Sequence, residues 1–185
     1  MHRRSVLGLL GGSAATALLP QSAHATLVTG LTLKQLVNRS AHIVIVSALD
    51  SSSFYTTIGG RRCIVTETRV QVRDALGPQA PHARVMSVRT LGGKVGAMGE
   101  LVLGQASFSA STPDVAFLKL GADGAHWFVG MAQGHYPLYG EDADVSLRHS
   151  ANLPEIRELS TSAVRALSGQ RLSRARGLIR EAGAQ

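Results

Sequence analysis

A cluster of aromatic side chains is the strongest candidate for a ligand-binding site. The chain contains only eight Phe, Trp and Tyr residues, and four of them fall within thirteen positions: Trp127, Phe128, Tyr136 and Tyr139. Such rings either fill a small core or offer a flat surface to a ligand. Neighbouring residues of a strand point to opposite faces, so only one of Trp127 and Phe128 fills the core unless both faces are covered. We predict a binding patch made by Trp127, Gln133, His135 and Tyr136, with core packing as the simpler alternative.

The glycine-rich segment 92–99 lacks the spacing of a nucleotide-binding loop. In a phosphate-binding P-loop, Gly-Lys is followed by Ser or Thr, but Lys94 is followed by Val95. The Gly-x-Gly-x-x-Gly spacing of dinucleotide-binding proteins is also absent. We therefore interpret the segment as a corner at which a sheet bends, with a ligand-facing loop as the alternative.

No motif in the sequence predicts catalysis. The histidines that follow residue 25 are scattered and form neither His-Glu-x-x-His nor His-x-His: they are His42, His82, His126, His135 and His149. No Gly-x-Ser-x-Gly nucleophile motif is present. We predict no catalytic residue, no metal and no cofactor, and we keep a hydrolase whose residues meet only in the fold as the alternative.

Residues 1–25 have the three parts of a removable signal peptide. Arg3 and Arg4 precede an apolar stretch from 6 to 19, and Ala23-His24-Ala25 supplies the small residues that signal peptidase requires. Arg3, Arg4 and Leu7 match the twin-arginine motif. The apolar stretch is shorter than the roughly 20 residues that span a bilayer, so we predict cleavage after Ala25 and no transmembrane segment in the mature protein. The predicted location is periplasmic or secreted, through the twin-arginine or the general secretory route.

The positive net charge of +7 does not predict nucleic-acid binding. The leader carries Arg3 and Arg4, and residues 165–185 carry five arginines against Glu181. The body of the chain is therefore nearly neutral, and its arginines do not interleave with aromatic residues. We predict no nucleic-acid partner. We expect the apolar face of the Arg-rich C-terminal helix to pack on the barrel, with contact to anionic lipid or a protein as the alternative.

The remaining elements predict a mainly β (α+β) fold. Thr32 is suited to cap a short helix at 33–39. The segment 62–74 alternates apolar and polar residues as a half-buried strand does. Further strands are predicted at 84–90 and 100–103, a loop at 50–53 and an acidic surface turn at 141–144. About six short strands with glycine-rich corners predict a small antiparallel β-barrel over 26–145, related to the OB-fold because the strand at 62–74 is long, or else a sandwich. An Arg-rich helical segment, broken at Gly169 and Gly177, is predicted over 146–185.

A set of short motifs resembles a family of small exported bacterial β-domain proteins, found alone or ahead of zinc-metalloprotease-like domains. The motifs are Gly92-Gly93-x-Val95-Gly96, Gly104-x-x-x-Phe108, Val115-Ala116-Phe117-Leu118 and Trp127-Phe128-Val129-Gly130-Met131-Ala132-Gln133-Gly134. The resemblance covers roughly residues 31–139 and supplies no catalytic residue. We expect an exported, soluble, non-catalytic β-domain that binds an envelope protein or a glycan.

Overall fold

The structure of the protein, a computed structural model, describes residues 27–140 and 145–184. The predicted signal peptide, with Arg3, Arg4, Leu7, Ala23 and Ala25, lies outside the described residues and stays a prediction. The same holds for the acidic turn predicted at 141–144.

Strands dominate the described residues. In chain order the elements are β1 (Val28–Thr29), α1 (Leu33–Asn38), β2 (His42–Ile58), β3 (Arg61–Ala75), β4 (Val85–Leu91), β5 (Gly93–Val95), β6 (Met98–Glu100), β7 (Asp114–Leu120), β8 (His126–Phe128), β9 (His135–Tyr139), β10 (Ser146–Leu147), β11 (Ile156–Arg157), α2 (Ala163–Leu167) and α3 (Leu172–Gly183). Two 3-10 turns lie at Met131–Gly134 and Leu159–Thr161. Strands hold 44% of the residues and helices 19%, which confirms the mainly β fold.

Five strands close into a ring that forms the barrel. β2 pairs with β3 and β7, β3 pairs with β4, and β8 joins β4 to β7. This strand order is the five-stranded Greek-key arrangement of an OB-type barrel. All these pairs are antiparallel except β4–β8, which is parallel, so the predicted antiparallel barrel contains one parallel pair. A ring with an odd number of strands cannot alternate direction all the way round, and one neighbouring pair must therefore be parallel.

The long hairpin of β2 and β3 turns at Gly59 and Gly60. Both glycines have positive φ, 58° and 79°, which a two-residue turn of this kind requires. Residues 50–53, predicted as a loop, lie inside β2 and pair with β3, so that prediction is wrong. Irregularities at Ile45/Val46 and Ala48/Asp50 bend β2, and this bend lets one strand pair with β3 along its length and with β7 at its start.

The glycine-rich segment folds into the small hairpin of β5 and β6. The strand predicted at 100–103 is wrong: residues 101–103 are not in a strand, and the strand here is β6, which ends at Glu100 and pairs with β5. Gly93 has a φ of 135° and lies so close to β2 and β3 that a Cβ there would overlap the hydroxyls of Ser53 and Thr66. Glycine is therefore needed at this position both for its backbone conformation and for the close approach.

Two apolar clusters cover the two faces of the sheet. One fills the barrel and is built mainly from Val44, Val46, Val70, Val88, Leu118 and Phe128. The other lies between the outside of the barrel and the helices, with Ile43, Ile45, Phe117, Tyr136, Leu167 and Ile179 among its members. The unbroken apolar run at 43–46 thus has both faces covered, as its pattern predicts.

The C-terminal helices pack on the barrel and on α1. Gly169, with a φ of 78°, separates α2 from α3, whereas Gly177 lies within α3, so the break predicted there is wrong. Ala175 and Ile179 are buried against the outer cluster. Arg176 donates to Asp74 of β3 at 2.7 Å. In the described ranges, no helix is both long and apolar enough to span a bilayer.

Candidate functional site

Trp127 lies on the outside of the barrel, beside two turns. Its neighbour Phe128 is 5% exposed and packs inside the barrel, which confirms that the two side chains point to opposite faces. Trp127 pairs with Arg89 of β4 on one side and with Lys119 of β7 on the other. The indole is half-buried, so part of the ring remains available to a ligand.

Two adjoining cavities flank the indole and form what we call the Trp127 groove. They have volumes of about 350 Å³ and about 400 Å³, and both are lined by Ile58, Arg89, Gly121 and Trp127. The first continues along Leu91, Gln105, Lys119, Phe128 and Met131. The second lies between the β2–β3 turn and the β7–β8 turn. The groove therefore combines apolar walls with charged side chains.

Arg89 is held in place by two carboxylates. Its Nε donates to Glu67 at 2.7 Å, and its Nη1 donates to Asp123 at 2.6 Å. The hydrogen bond to Glu67 is the main reason why the pKa of Arg89 is raised. The guanidinium also lies 5.3 Å from the centre of the Phe54 ring. These contacts fix the orientation of the cation and neutralise much of its charge.

Asp123 connects this ion pair to the indole. Partial desolvation acts to raise the pKa of Asp123, but hydrogen bonds from the Ala125 amide and Trp127, together with Arg89, hold it below its usual value. Gly121 leaves room for the ring, because a Cβ there would lie 2.8 Å from the indole nitrogen. The β7–β8 turn thus positions both the carboxylate and the indole.

Gln133 is buried and bonded to the N-terminal segment. It is 6% exposed, and its Oε1 accepts from the Leu31 amide at 2.8 Å while its Nε2 donates to the Thr29 carbonyl at 3.2 Å. Both ends of the side-chain amide are therefore used within the protein.

His135 and Tyr136 are enclosed as well. His135 Nε2 lies 2.9 Å from Asp114 Oδ1, and the two side chains are 2% and 0% exposed. Phe108 and Phe128 pack against the imidazole. Tyr136 is completely buried against Phe117, and burial raises the pKa of its hydroxyl. The structure thus separates the four predicted binding residues: Trp127 lines the groove, while Gln133, His135 and Tyr136 lie in the interior.

Sequence reasoning missed the partners of Trp127 in the groove. Arg89, Asp123 and Ile58 come from three separate segments that only the closed barrel brings together. Two features of the sequence point to these partners. Arg89 faces outward on a predicted strand, and the β7–β8 turn carries the Asp123 carboxylate. In residues 27–140 and 145–184, no group of three or more His, Cys, Asp and Glu side chains could hold a metal ion.

Comparison with known proteins gives no matching family model, curated protein or solved structure. The resemblance to small exported β-domain proteins therefore stays a prediction.

Proposed function

We propose that this protein is an exported, non-catalytic binding domain that holds the uncharged sugar rings of an envelope glycan in the Trp127 groove. The observation that carries the proposal is the half-exposed indole beside the fixed Arg89–Asp123 pair. A sugar ring has an apolar face that packs on an aromatic ring and hydroxyls at its edge that hydrogen-bond to charged side chains. The groove offers both kinds of contact within one site.

The position of the groove in the fold supports the same function. OB-type barrels bind oligosaccharides and oligonucleotides on the face of their second and third strands and at the loops between strands 1 and 2 and between strands 4 and 5. Here β3 and β4 supply Glu67 and Arg89, and the β2–β3 and β7–β8 turns supply the rim. A fold does not by itself determine its ligand, so the side chains of the groove must supply the chemistry of binding.

The charge balance of the groove favours a glycan over a nucleic acid. Arg89 is countered by Glu67 and Asp123, and Lys119 adds one positive charge. The charges of these four side chains sum to zero. A phosphate backbone is bound through several unpaired cations, which this arrangement does not provide.

The alternative of a hydrolase receives less support from the described residues. The Asp114–His135 pair has the residue types of an acid–base dyad, but both side chains are enclosed. A general base must come within hydrogen-bonding distance of its substrate. We therefore assign this pair to the interior and propose binding as the function.

Binding to purified peptidoglycan sacculi tests the proposal. Trp127 is the single tryptophan of the chain, so soluble sacculus fragments should shift its fluorescence in a saturable way. In co-sedimentation we expect the mature protein to pellet with sacculi and Trp127→Ala to remain in solution. Tyr139→Ala is the matched control, because it removes another exposed aromatic ring outside the groove. If Trp127→Ala pellets like the wild type, or if the wild type does not pellet with sacculi, the proposal is wrong.

A further inference from the structure

The interior of the barrel changes from apolar to polar along its length. β7 pairs with β2 only over His42–Val46, and beyond this point β2, β3 and β4 continue without it. Their inward positions there are occupied by hydroxyl side chains in register with one another: Ser51 lies opposite Thr68, and Ser53 and Thr90 both lie opposite Thr66. The barrel therefore opens at one end into a space lined by Ser and Thr.

This open end holds a cavity of about 330 Å³, which we call the barrel mouth. Its walls are Ser51, Thr66, Thr68 and Thr90 from the strands, the loop 101–108, and Asn152. The volume lies within the range of small-ligand sites, roughly 300–1,000 Å³. At the rim, Leu101 and Leu103 are 86% and 59% exposed, so apolar side chains flank a hydroxyl-rich interior.

Several polar groups of the barrel mouth remain open to a ligand. Thr66 donates to the Gly92 carbonyl and bonds to Ser53. By contrast, the side chains of Thr68, Thr90 and Gln105 form no hydrogen bond to any other part of the chain that the structure describes. Thr68 is only 7% exposed, and its side chain lines the cavity. Because the Thr68 hydroxyl is not sealed from solvent, a ligand can reach it through the cavity.

The chemistry of the lining favours a neutral, hydroxyl-rich group. Hydroxyls and amides both donate and accept hydrogen bonds, as sugar hydroxyls do. The carboxylate of the site, Glu100, accepts from the Ile64 amide at 2.7 Å, and no Lys or Arg side chain lines the cavity within the described residues. An anionic group would therefore find no counter-charge in the barrel mouth.

The barrel mouth and the Trp127 groove are adjacent. Leu91 and Gln105 line both of them, so a single extended ligand can pass from one to the other. The barrel mouth ends on Ala106 and Phe108. Ala106 belongs to the apolar cluster inside the barrel, and Phe108 packs against that cluster, so a ligand that enters cannot continue through the barrel.

Building on the proposed glycan function, we infer that the barrel mouth is a second subsite that holds the terminal sugar of the glycan strand. The following sugars lie along the Trp127 groove, with Gln105 between the two subsites. The protein therefore recognises the uncharged sugar ring at the end of a glycan strand and does not recognise the middle of the strand.

Two variants of the barrel mouth test this inference. Thr68→Val and Thr90→Val keep the shape of the side chain and remove the hydroxyl. By isothermal titration with soluble fragments released from sacculi, we expect each to weaken binding about tenfold, the effect of losing one hydrogen bond to a ligand. Thr161→Val is the matched control, because this exposed threonine lines neither cavity. If Thr68→Val fails to fold, Thr90→Val decides alone, because Thr90 lines the barrel mouth and not the Trp127 groove.

The number of strand ends provides a second measurement. Sacculi that have been partly cut with a muramidase carry more strand ends per unit mass, and we expect them to bind proportionally more protein. Two results would overturn this inference and leave the Trp127 groove as the only binding site: unchanged binding of protein per unit mass of cut sacculi, or wild-type affinity in the barrel-mouth variants. If the wild-type protein does not bind sacculi at all, both proposals are wrong.

Discussion

Gln133 Oε1 accepts a hydrogen bond from the backbone amide of Leu31 at 2.8 Å, across 102 positions of the chain. The Nε2 group of the same side chain donates to the Thr29 carbonyl at 3.2 Å. β1 itself pairs with β11 over only two residues, Val28 and Thr29. The Gln133 side chain therefore adds two hydrogen bonds to the backbone contacts that hold the N-terminal segment in place.

We expect Gln133→Ala to destabilise the fold without abolishing sacculus binding. The substitution leaves the Leu31 amide and the Thr29 carbonyl without their partner, and each such loss costs about 1–3 kcal/mol. Urea denaturation should therefore show a fall of at least about 1 kcal/mol in the free energy of unfolding. Gln79→Ala, at an exposed position, should change it by less than about 0.5 kcal/mol. Equal effects of the two variants would contradict the role of Gln133.

The buried Asp114–His135 pair should be far more sensitive to substitution than a surface pair. His135→Ala leaves the fully buried Asp114 carboxylate without its partner at 2.9 Å, which typically costs about 3–5 kcal/mol. Asp74→Ala breaks the exposed contact with Arg176 and should cost less than about 1 kcal/mol. Chemical denaturation of both variants measures the difference. Similar losses would show that Asp114 and His135 do not act as a buried pair.

Local patterns of the sequence predicted most of the strands, because side-chain alternation and turn residues are local properties. Alternation along 62–74 marks β3, and Thr32 caps α1 through a hydrogen bond to Gln35. The parallel β4–β8 pair has no local signal, since it follows from closing a ring of five strands. Residues 50–53 were misassigned because a serine-rich run is typical of loops, whereas here these residues face the barrel mouth or the solvent.

The candidate site was less predictable than the fold. The aromatic cluster drew attention to Trp127, and strand alternation required Trp127 and Phe128 to point to opposite faces without indicating which of them faces outward. Its partners Arg89 and Asp123 lie 38 and four positions away in the sequence, and only the register of β4 with β8 brings Arg89 beside it. Gln133 is buried because the N-terminal segment packs over it, and no residue close to Gln133 in the sequence indicates where that segment runs.

The pH dependence of stability should contain a contribution from His126. Burial, and secondarily the nearby His42 ring at 5.4 Å, lower the pKa of His126 below its usual value of 6.5. The unfolded chain therefore takes up this proton at a higher pH than the folded protein does. The stabilisation is complete above about pH 6.5 and is lost as the pH falls through the lower, folded-state pKa.

His126→Gln should consequently flatten the decline of stability just below pH 6.5. The measurement is the free energy of unfolding in urea at a series of pH values from about 7.5 to 5. His82→Gln is the matched control, since it removes an exposed imidazole from the segment before β4. A His126→Gln slope that is indistinguishable from wild type would contradict the assignment.

Glycan binding should depend little on salt. Proteins that contact 6–10 phosphates lose about 10³–10⁵ in affinity between 50 and 200 mM salt. Since Arg89 is countered by Glu67 and Asp123, we expect the Kd for soluble sacculus fragments to change less than about threefold over this range. A steep salt dependence would instead indicate an anionic ligand.

Arg89→Gln tests directly whether the ion pair of Arg89 with Glu67 and Asp123 contributes to glycan binding. It leaves the Asp123 and Glu67 carboxylates without their cation, and Asp123 also orients the indole. We expect about tenfold weaker binding, from the loss of a charge-assisted contact. Arg69→Gln removes an exposed arginine that pairs with Asp50, and it should bind like wild type. Equal affinities for the two variants would exclude Arg89 from the site.

Export should produce a mature protein that begins at Thr26. Cleavage after Ala25 leaves Thr26 and Leu27 ahead of β1, so the pairing of Val28 with Ile156 is retained when the leader is removed. Mass spectrometry of the exported protein should show this N-terminus. Replacement of both Arg3 and Arg4 by Lys should block export if the twin-arginine route is used, and Arg39→Lys, an exposed arginine of the mature chain, should not. An exported protein that retains Met1 would contradict cleavage, and normal processing of the double variant would assign the protein to the general secretory route.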